Sequence, residues 1–219
     1  MWKNYLQSFK VWSLFTGIFI ICSCTEQHND EDLPIIGEIE ILTTVNNGKT
    51  IIDTVYHRIP AFRFVDQDSV WISNTDVADK IYLADFFFTR CPTICPLLAK
   101  NMLSIAKEFE QEQRFVILSH TIDEKHDTPI VLGEYAKKLG APSNWRFLNG
   151  PQDAVYHIAG KEGYFSYAEE NPNVPGGFDH SGAFTLVDSG GHVRGVYDGT
   201  NEEEAQKAIL DIRKLLKKQ

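Results

Sequence analysis

The sequence has few cysteines, no long apolar run and no cluster of basic residues. Four cysteines in 219 residues are too few for a disulfide-stapled scaffold. Lys and Arg total 21 against 30 Asp and Glu, so the net charge is −9 and the basic surface of a nucleic-acid binder is missing. The composition, 43% hydrophobic and 23% charged, excludes collagen, coiled coils, low-complexity disorder and multi-pass membrane proteins. The length predicts one domain with a substantial core and short appendages.

The first 23 residues predict an export signal. Two lysines precede residues 11–21, an uncharged and mostly apolar run that is shorter than the roughly 20 residues needed to cross a bilayer. Residues 21–24 read ICSC, which resembles the lipobox of bacterial lipoproteins and makes Cys24 the expected lipidation site. An uncleaved signal anchor is the alternative. Both interpretations predict a folded part outside the cytoplasm, where thiols can oxidise.

A polar tether and a β-hairpin are predicted next. Residues 24–36 begin with the cysteine to be lipidated and continue as an acidic, flexible segment. Residues 37–60 form the hairpin extension, because alternating apolar side chains flank an Asn-Asn-Gly turn at residues 46–48. A looser pair of strands follows around the polar residues 66–68. The main domain is therefore predicted to occupy residues 61–219.

Strands alternate with helices in this main domain. The nearly continuous apolar run at residues 81–88 predicts a central strand buried on both faces. Apolar side chains recur at helical spacing over residues 98–109. Further strands are predicted at residues 115–118, 184–187 and 193–197, and further helices at 129–139, 154–159 and 202–218. This order predicts an α/β domain with a thioredoxin-like fold.

Two cysteines with three residues between them follow the predicted central strand, in the segment RCPTICP at residues 90–96. The next helix directs its positive end at them, which stabilises thiolates, and Arg90 adds a positive charge. A structural disulfide would close a five-residue ring and contribute about 2 kcal/mol at most. A redox pair is a second interpretation, although thioredoxin-type motifs have two intervening residues. A metal site is the third, since soft thiolates favour Cu(I) or zinc.

A histidine is the expected third ligand. His180 lies shortly before the predicted strand at 184–187, where thioredoxin-like oxidoreductases usually place a cis-proline against the cysteine pair. No proline occupies this position, so the fold predicts that His180 points at Cys91 and Cys95. Two thiolates and one imidazole suit Cu(I), because structural zinc normally takes four protein ligands. His120, at the end of another predicted strand, is expected to be either a core histidine or a group behind the ligands.

A three-ligand zinc site with a bound water is the less favoured metal interpretation. Zinc hydrolysis would need a general base, and nothing in the sequence distinguishes Asp123, Glu124 or Asp179 for that role. A peroxidase is also disfavoured, because the Thr-x-x-Cys arrangement of those enzymes does not occur here.

Three segments resemble the signature of the Sco/SenC family. Residues 84–96 read ADFFFTRCPTICP, residues 121–129 read TIDEKHDTP and residues 178–181 read FDHS. The resemblance extends from about residue 59 to residue 216, with the motifs in order. Members of this family are membrane-anchored, thioredoxin-like copper proteins that help assemble the dinuclear copper centre of cytochrome c oxidase subunit II.

The resemblance implies that Cys91, Cys95 and His180 bind one copper ion per chain, and that the cysteines form a disulfide when oxidised. Arg90 and Asp179 are expected beside the ligands, although the family often has a smaller or less charged residue at the position of Arg90. The implied function is a monomeric copper chaperone, anchored by lipid on the periplasmic side of a membrane.

The implied partner is cytochrome c oxidase subunit II or another periplasmic copper protein. A thiol:disulfide oxidoreductase acting on the target's cysteines is the alternative, because the same thiols serve both roles. A module that buffers copper or delivers it elsewhere is a third possibility.

Overall fold

The computed structural model describes residues 32–46 and 49–218, which form eleven β-strands and four α-helices. The strands are β1 (Ile39–Asn46), β2 (Lys49–Tyr56), β3 (Arg63–Asp66), β4 (Trp71–Ser73), β5 (Ile81–Phe87), β6 (Phe115–Thr121), β7 (Trp145–Asn149), β8 (Ala168–Glu170), β9 (Phe178–His180), β10 (Ala183–Val187) and β11 (Val193–Asp198). The helices are α1 (Cys95–Glu108), α2 (Pro129–Leu139), α3 (Gln152–Ala159) and α4 (Glu202–Lys218). The mixed α/β architecture is as predicted.

Seven strands form one mixed sheet in the order β11-β10-β5-β6-β7-β3-β4. The three strands β5, β6 and β7 are parallel, whereas the outer pairs are antiparallel. All seven residues of β5 are buried. A strand that is covered on both faces needs apolar side chains at successive positions, which explains the run that predicted it.

Helix α1 packs against the sheet and against α4 through an apolar stripe. Its buried side chains include Leu98, Met102 and Ile105, each worth about 1.5–3 kcal/mol when fully buried. Helix α2 has the predicted bounds and ends at Gly140, whose φ of 66° lies in the left-handed region that glycine tolerates. Thr128 occupies the position before α2, but its side chain makes no capping hydrogen bond.

Three strands were not predicted from the sequence. β7 has polar side chains among its apolar ones, and β8 and β9 have only three residues each. β8 and β9 form a separate antiparallel ribbon in which Ala168 pairs with His180. The ribbon therefore makes His180 the last residue of a strand, held by main-chain hydrogen bonds.

The register of β10 explains how distant segments meet at one end of the sheet. β10 is antiparallel to β5, with Thr185 opposite Ala84 and Val187 opposite Tyr82. The start of β10 therefore lies towards the C-terminal end of β5. The cysteine segment follows β5 and His180 precedes β10, so the fold brings both to the same edge.

The β-hairpin is present as a separate two-stranded antiparallel sheet, with Ile39 opposite Tyr56. Its turn residues Asn47 and Gly48 lie outside the described residues. The segments that flank it attach to the turn between β10 and β11, where Ile36 pairs with Val193 and the Ile59 N–H donates to the carbonyl of Gly191. The hairpin thus begins at the end of the main sheet opposite the cysteines.

The described residues from 33 to 218 form one compact unit, and the predicted boundary between hairpin and main domain stays a prediction. The predicted signal peptide and Cys24 lie outside the described residues. None of the helices in residues 32–46 and 49–218 has the length and apolar character required to span a bilayer.

Candidate metal centre

The two cysteines lie where β5 passes into α1. The Cys91 N–H donates to the carbonyl of Phe88 and so closes a turn after the strand, whereas Cys95 is the first residue of the helix. Pro96 is tolerated in the first helical turn because no N–H is needed there. Both thiols are buried and neither is in a disulfide.

His180 presents one ring nitrogen to the cysteines. Its Nδ1 atom lies 3.0 Å from the carbonyl oxygen of Ser181, and its Nε2 atom lies 3.4 Å from the Sγ atom of Cys95. Donation from Nδ1 to the carbonyl leaves the Nε2 lone pair directed at the sulfur, which is the tautomer a metal ligand requires. The imidazole also packs edge-on against Phe88, with ring centres 5.8 Å apart.

Cys91, Cys95 and His180 form a three-donor group. One donor atom from each residue lies within 4.8 Å of the other two, and all three residues are buried. Two soft sulfurs and one imidazole suit Cu(I), which accepts three ligands, better than hard cations that prefer oxygen. The structure therefore brings together the residues that were expected to bind copper, and the donor set fits that metal.

The two thiols have opposite pKa shifts. A hydrogen bond from the Cys95 thiol to the Cys91 sulfur, aided by Thr93, lowers the pKa of Cys91 from 9.0 to about 3. The same hydrogen bond, together with burial, raises the pKa of Cys95. In the reduced chain at neutral pH, Cys91 is therefore the thiolate and Cys95 is the protonated partner.

A buried carboxyl group, Asp85, acts on the same site from within β5. Burial raises its pKa to about 6, although the Ser119 hydroxyl donates to it and His180 opposes the shift electrostatically. The charge of Asp85 in turn contributes to the raised pKa of Cys95. Sequence reasoning missed Asp85 because a single acidic residue in an apolar strand reveals nothing about what surrounds it.

Arg90 pairs with a carboxylate and not with a cysteine sulfur. Its guanidinium donates to the Asp123 carboxylate, with Nη2 and Oδ2 2.5 Å apart. Asp123 is buried and Arg90 is half exposed, so the ion pair joins the residue before Cys91 to the segment that follows β6. Of the other acidic residues considered for zinc hydrolysis, Asp179 accepts a hydrogen bond from Tyr167 and Glu124 accepts one from the Gln152 N–H. Each of the three carboxylates is thus engaged by a hydrogen-bond donor.

His120 lies in an aromatic cage. Its ring is fully buried, and neither nitrogen has a hydrogen-bond partner within the described part of the chain. The rings around it belong to Phe62, Phe64, Phe86 and Tyr164. Burial lowers its pKa to about 3, so the imidazole is neutral. These contacts make His120 a core histidine, which is one of the two expected interpretations.

A second buried carboxylate, Asp127, holds the segment before Cys91. It accepts hydrogen bonds from the Thr89 N–H at 2.9 Å, the Thr89 hydroxyl at 2.5 Å and the Thr121 hydroxyl at 2.5 Å. The cysteine segment is thereby fixed to the end of β6. The second recognised motif contained Asp127, but only the folded structure shows what it binds.

An open groove lies beside the thiols. It has a volume of about 470 Å³, and Cys91 and Cys95 contribute to one end. Leu103 and Tyr135 give it an apolar lining, and Lys138 lies at its border. The two cysteines therefore border a space that is open to solvent, although both are buried themselves.

The fold and this group of two thiols and an imidazole define the class, a thioredoxin-like protein with a donor set for a soft metal. The SCO1/SenC family model matches residues 53–217. The chain belongs to the SCO1/SenC family, as the three motifs indicated.

Known relatives agree with this assignment. The chain is 29% identical over 180 residues to the SCO1 protein homolog of Bacillus subtilis (strain 168), covering 81% of this chain and 92% of that protein. A SCO1/SenC family lipoprotein from Bacillus anthracis str. Ames has a similar structure, with a TM-score of 0.66 and 28% identity over 73% of this chain and 95% of its own.

Two further similar structures are those of a relative with a disulfide switch and a relative with bound copper. BsSco, a member of the Sco family of cytochrome c oxidase assembly proteins with a disulfide switch, has a TM-score of 0.64 and 27% identity, covering 74% of this chain and 95% of its own. Bradyrhizobium japonicum ScoI with copper bound has a TM-score of 0.59 and 20% identity, covering 71% of this chain and 98% of its own. These likenesses confirm the thioredoxin-like fold.

Proposed function

We propose that this protein is a copper chaperone that binds one copper ion through Cys91, Cys95 and His180 and passes it to the dinuclear copper centre of cytochrome c oxidase subunit II. The single observation that carries the proposal is the convergence of these three donor atoms within 4.8 Å. The family relation supports the choice of metal, and the relatives described as oxidase assembly proteins support the choice of partner.

The geometry favours capture of Cu(I) in a reduced site. Cys91 offers a thiolate, and the Nε2 atom of His180 is already aimed at the sulfur of Cys95. Cys95 must lose its proton when the metal binds, so copper loading releases a proton and is favoured by higher pH. The groove beside the cysteines allows a target's own thiol or imidazole to replace the ligands one at a time.

The first 24 residues support the proposed location of the protein. A lipobox-like segment that ends at Cys24, and a relative described as a lipoprotein, support a lipid anchor on the extracytoplasmic side of a membrane. Mass spectrometry of the mature protein tests this part of the proposal. It should show acylation at Cys24 and loss of residues 1–23, whereas an intact, unacylated N-terminus would contradict it.

Copper binding tests the ligand assignment. The full chain, reduced without oxygen, should bind one Cu(I) per molecule in competition with a colorimetric Cu(I) chelator. His180→Ala should weaken binding at least tenfold, since it removes a direct ligand. His157→Ala is the matched control, because His157 is exposed on α3 and belongs to no donor group among the described residues. An unchanged affinity in His180→Ala would show that His180 is not a ligand.

A thiol:disulfide oxidoreductase is the second candidate function, favoured by the opposite pKa shifts of the two cysteines. The Cys91 thiolate attacks a sulfur of the target disulfide, which releases one target thiolate and leaves a mixed disulfide. Cys95 then loses its proton and attacks Cys91, so the target leaves as a dithiol and this protein becomes the disulfide. The target gains two electrons and the cysteine pair loses two.

Reduction of an oxidised subunit II peptide, with copper removed by chelation, separates the two functions. A stoichiometric reaction that is lost in Cys91→Ser supports the oxidoreductase. No reaction, combined with tight copper binding, supports the chaperone alone.

A further inference from the structure

The hairpin formed by β1 and β2 has one face without a charged side chain. Opposite residues of an antiparallel pair project to the same side, and alternate residues of each strand share a face. The register places eight residues on this uncharged face: Ile39, Ile41, Thr43, Val45, Thr50, Ile52, Thr54 and Tyr56. Three of its apolar side chains, Ile41, Val45 and Ile52, are 69%, 72% and 69% exposed. Apolar side chains gathered on one exposed face are a common feature of binding surfaces.

The other face of the same hairpin is charged. Glu40, Lys49 and Asp53 all lie there, although it also carries three apolar side chains, those of Leu42, Ile51 and Val55. The two faces of the hairpin therefore differ in charge. A hairpin that only linked two segments in water would not need this difference. The family model begins at residue 53, so β1 and half of β2 lie outside the part that it describes.

The hairpin lies at the end of the sheet that is remote from the metal site. Its flanking segments attach to Val193 and to Gly191 in the turn after β10. Val187, near that turn, pairs with Tyr82 at the start of β5, whereas the cysteines follow the end of β5. Seven residues of strand separate the two ends, which is about 23 Å.

The size of the uncharged face argues against a second copy of this chain as its occupant. Eight residues per strand and two strands make a surface about 27 Å long and about 10 Å wide, roughly 270 Å². Stable interfaces bury about 800 Å² on each partner. Because the uncharged face is small, its occupant must already be held close by. The occupant must also bind without a precisely complementary shape.

We propose that the uncharged face of the hairpin lies on the surface of the lipid bilayer that holds the anchor. This inference rests on the lipid anchor of the proposed function. Leu33 begins the compact unit nine residues after Cys24, so at most about 32 Å of chain joins the anchor to this end of the fold. The hairpin is the second, weaker membrane contact, and the anchor supplies its local concentration. The metal site then points away from the membrane.

A fluorescence experiment with adjacent threonines tests the orientation. The full lipidated chain, with Cys91 and Cys95 replaced by Ser, is labelled with an environment-sensitive fluorophore at Thr43→Cys or Thr44→Cys and reconstituted into phosphatidylcholine vesicles. Thr43 belongs to the uncharged face and Thr44 to the charged face. The probe at position 43 should shift to the blue and be protected from an aqueous quencher at least threefold better than the probe at 44. Because the face has no charge, 0.5 M salt should not change this.

Other outcomes overturn the inference. Equal quenching at the two positions in vesicle-bound protein shows that the hairpin stays in water. Protection at position 43 without vesicles, rising with protein concentration, identifies a second copy as the occupant. Protection only after a protein partner is added identifies a protein surface. If the chain does not float with vesicles, it has no lipid anchor, and the inference is refuted together with that part of the proposed function.

A hairpin variant separates this inference from the copper function. The double variant Ile41→Asn and Ile52→Asn, labelled at position 43, should lose most of the protection. The same double variant with its cysteines intact should keep one Cu(I) per chain, because the hairpin is remote from the ligands. Loss of copper binding in the unmutated chain would refute the chaperone and leave the membrane contact standing.

Discussion

The Nε2 atom of His180 lies 3.4 Å from the Sγ atom of Cys95, although 85 residues separate the two in sequence. Cys91 and Cys95, in contrast, stay near each other even in an unfolded chain. The imidazole is therefore the donor that exists at the site only when the protein is folded. This difference has a measurable thermodynamic consequence.

Copper should stabilise the folded protein mainly through His180. A ligand at 100 times its dissociation constant raises the free energy of unfolding by about 2.7 kcal/mol, provided that the unfolded chain binds it poorly. The unfolded His180→Ala chain retains the same cysteine pair, so copper should stabilise this variant by less than half as much. Urea unfolding with and without Cu(I) measures both values, and His157→Ala should match the unmutated protein.

Cys91 should react with alkylating reagents at a much lower pH than Cys95. The hydrogen bond from Cys95 holds the pKa of Cys91 at about 3, so the reduced apo chain should be alkylated at a single cysteine at pH 6. Cys95→Ala removes the donor and should move the alkylation profile of Cys91 to higher pH. Iodoacetamide rates followed by mass spectrometry distinguish the sites. Preferential labelling of Cys95 would contradict the assignment.

Thr89→Val should destabilise the fold by about 1–2 kcal/mol. The substitution keeps the shape of the side chain but removes a hydroxyl that donates to the buried carboxylate of Asp127. Thr128→Val is the control, because Thr128 is exposed and its side chain makes no capping hydrogen bond, so its loss should cost less than about 0.5 kcal/mol. Urea unfolding of both variants decides the matter, and equal stabilities would show that the Asp127 network contributes little.

His120→Leu should make the free energy of unfolding less sensitive to acid. Burial holds the pKa of His120 near 3 in the folded chain, against 6.5 when unfolded, so unfolding takes up a proton between these values. The free energy of unfolding therefore falls as the pH drops below about 6.5. Between pH 7 and pH 5 the variant should gain about 2 kcal/mol relative to the unmutated chain. A difference that does not change with pH would contradict the buried neutral imidazole.

Asp85→Asn should show the opposite pH dependence. Burial raises the pKa of Asp85 from 3.8 to about 6, so the folded chain holds a proton that the unfolded chain releases. The free energy of unfolding therefore falls as the pH rises from about 4 to 6. The variant avoids this loss, and above pH 7 it should gain about 2 kcal/mol over its relative stability at pH 4. Chemical denaturation of the metal-free reduced proteins at pH 4, 6 and 8 measures the effect.

The elements with strong patterns were predictable from the sequence. Each pattern lies within the element that it predicts. These patterns are the apolar run of β5, the helical spacing of α1 and the alternation of β1 and β2. β7 was missed because Arg146 and Asn149 interrupt its apolar residues, and β9 because three residues carry no periodicity. Such short strands exist only because a neighbouring strand accepts their hydrogen bonds.

The metal ligands were predictable, but the groups that tune them were not. The spacing of Cys91 and Cys95 marks them as a pair, and the missing proline before β10 directed attention to His180. The pKa of Asp85 depends on the burial of β5, and the role of Asp127 depends on where Thr89 and Thr121 meet it. These are relations across the sheet, which a single sequence does not display.

The anchorage of Thr89 by Asp127 restricts where the protein can move when metal enters or leaves. The residues before Cys91 are tied to β6, and those after Cys95 are part of a regular helix. Only residues 92–94 lie between these supports, and Pro92 and Thr93 are exposed. The speed of metal exchange should therefore be governed by a three-residue arc of backbone, while the sheet and helices remain unchanged throughout the transfer.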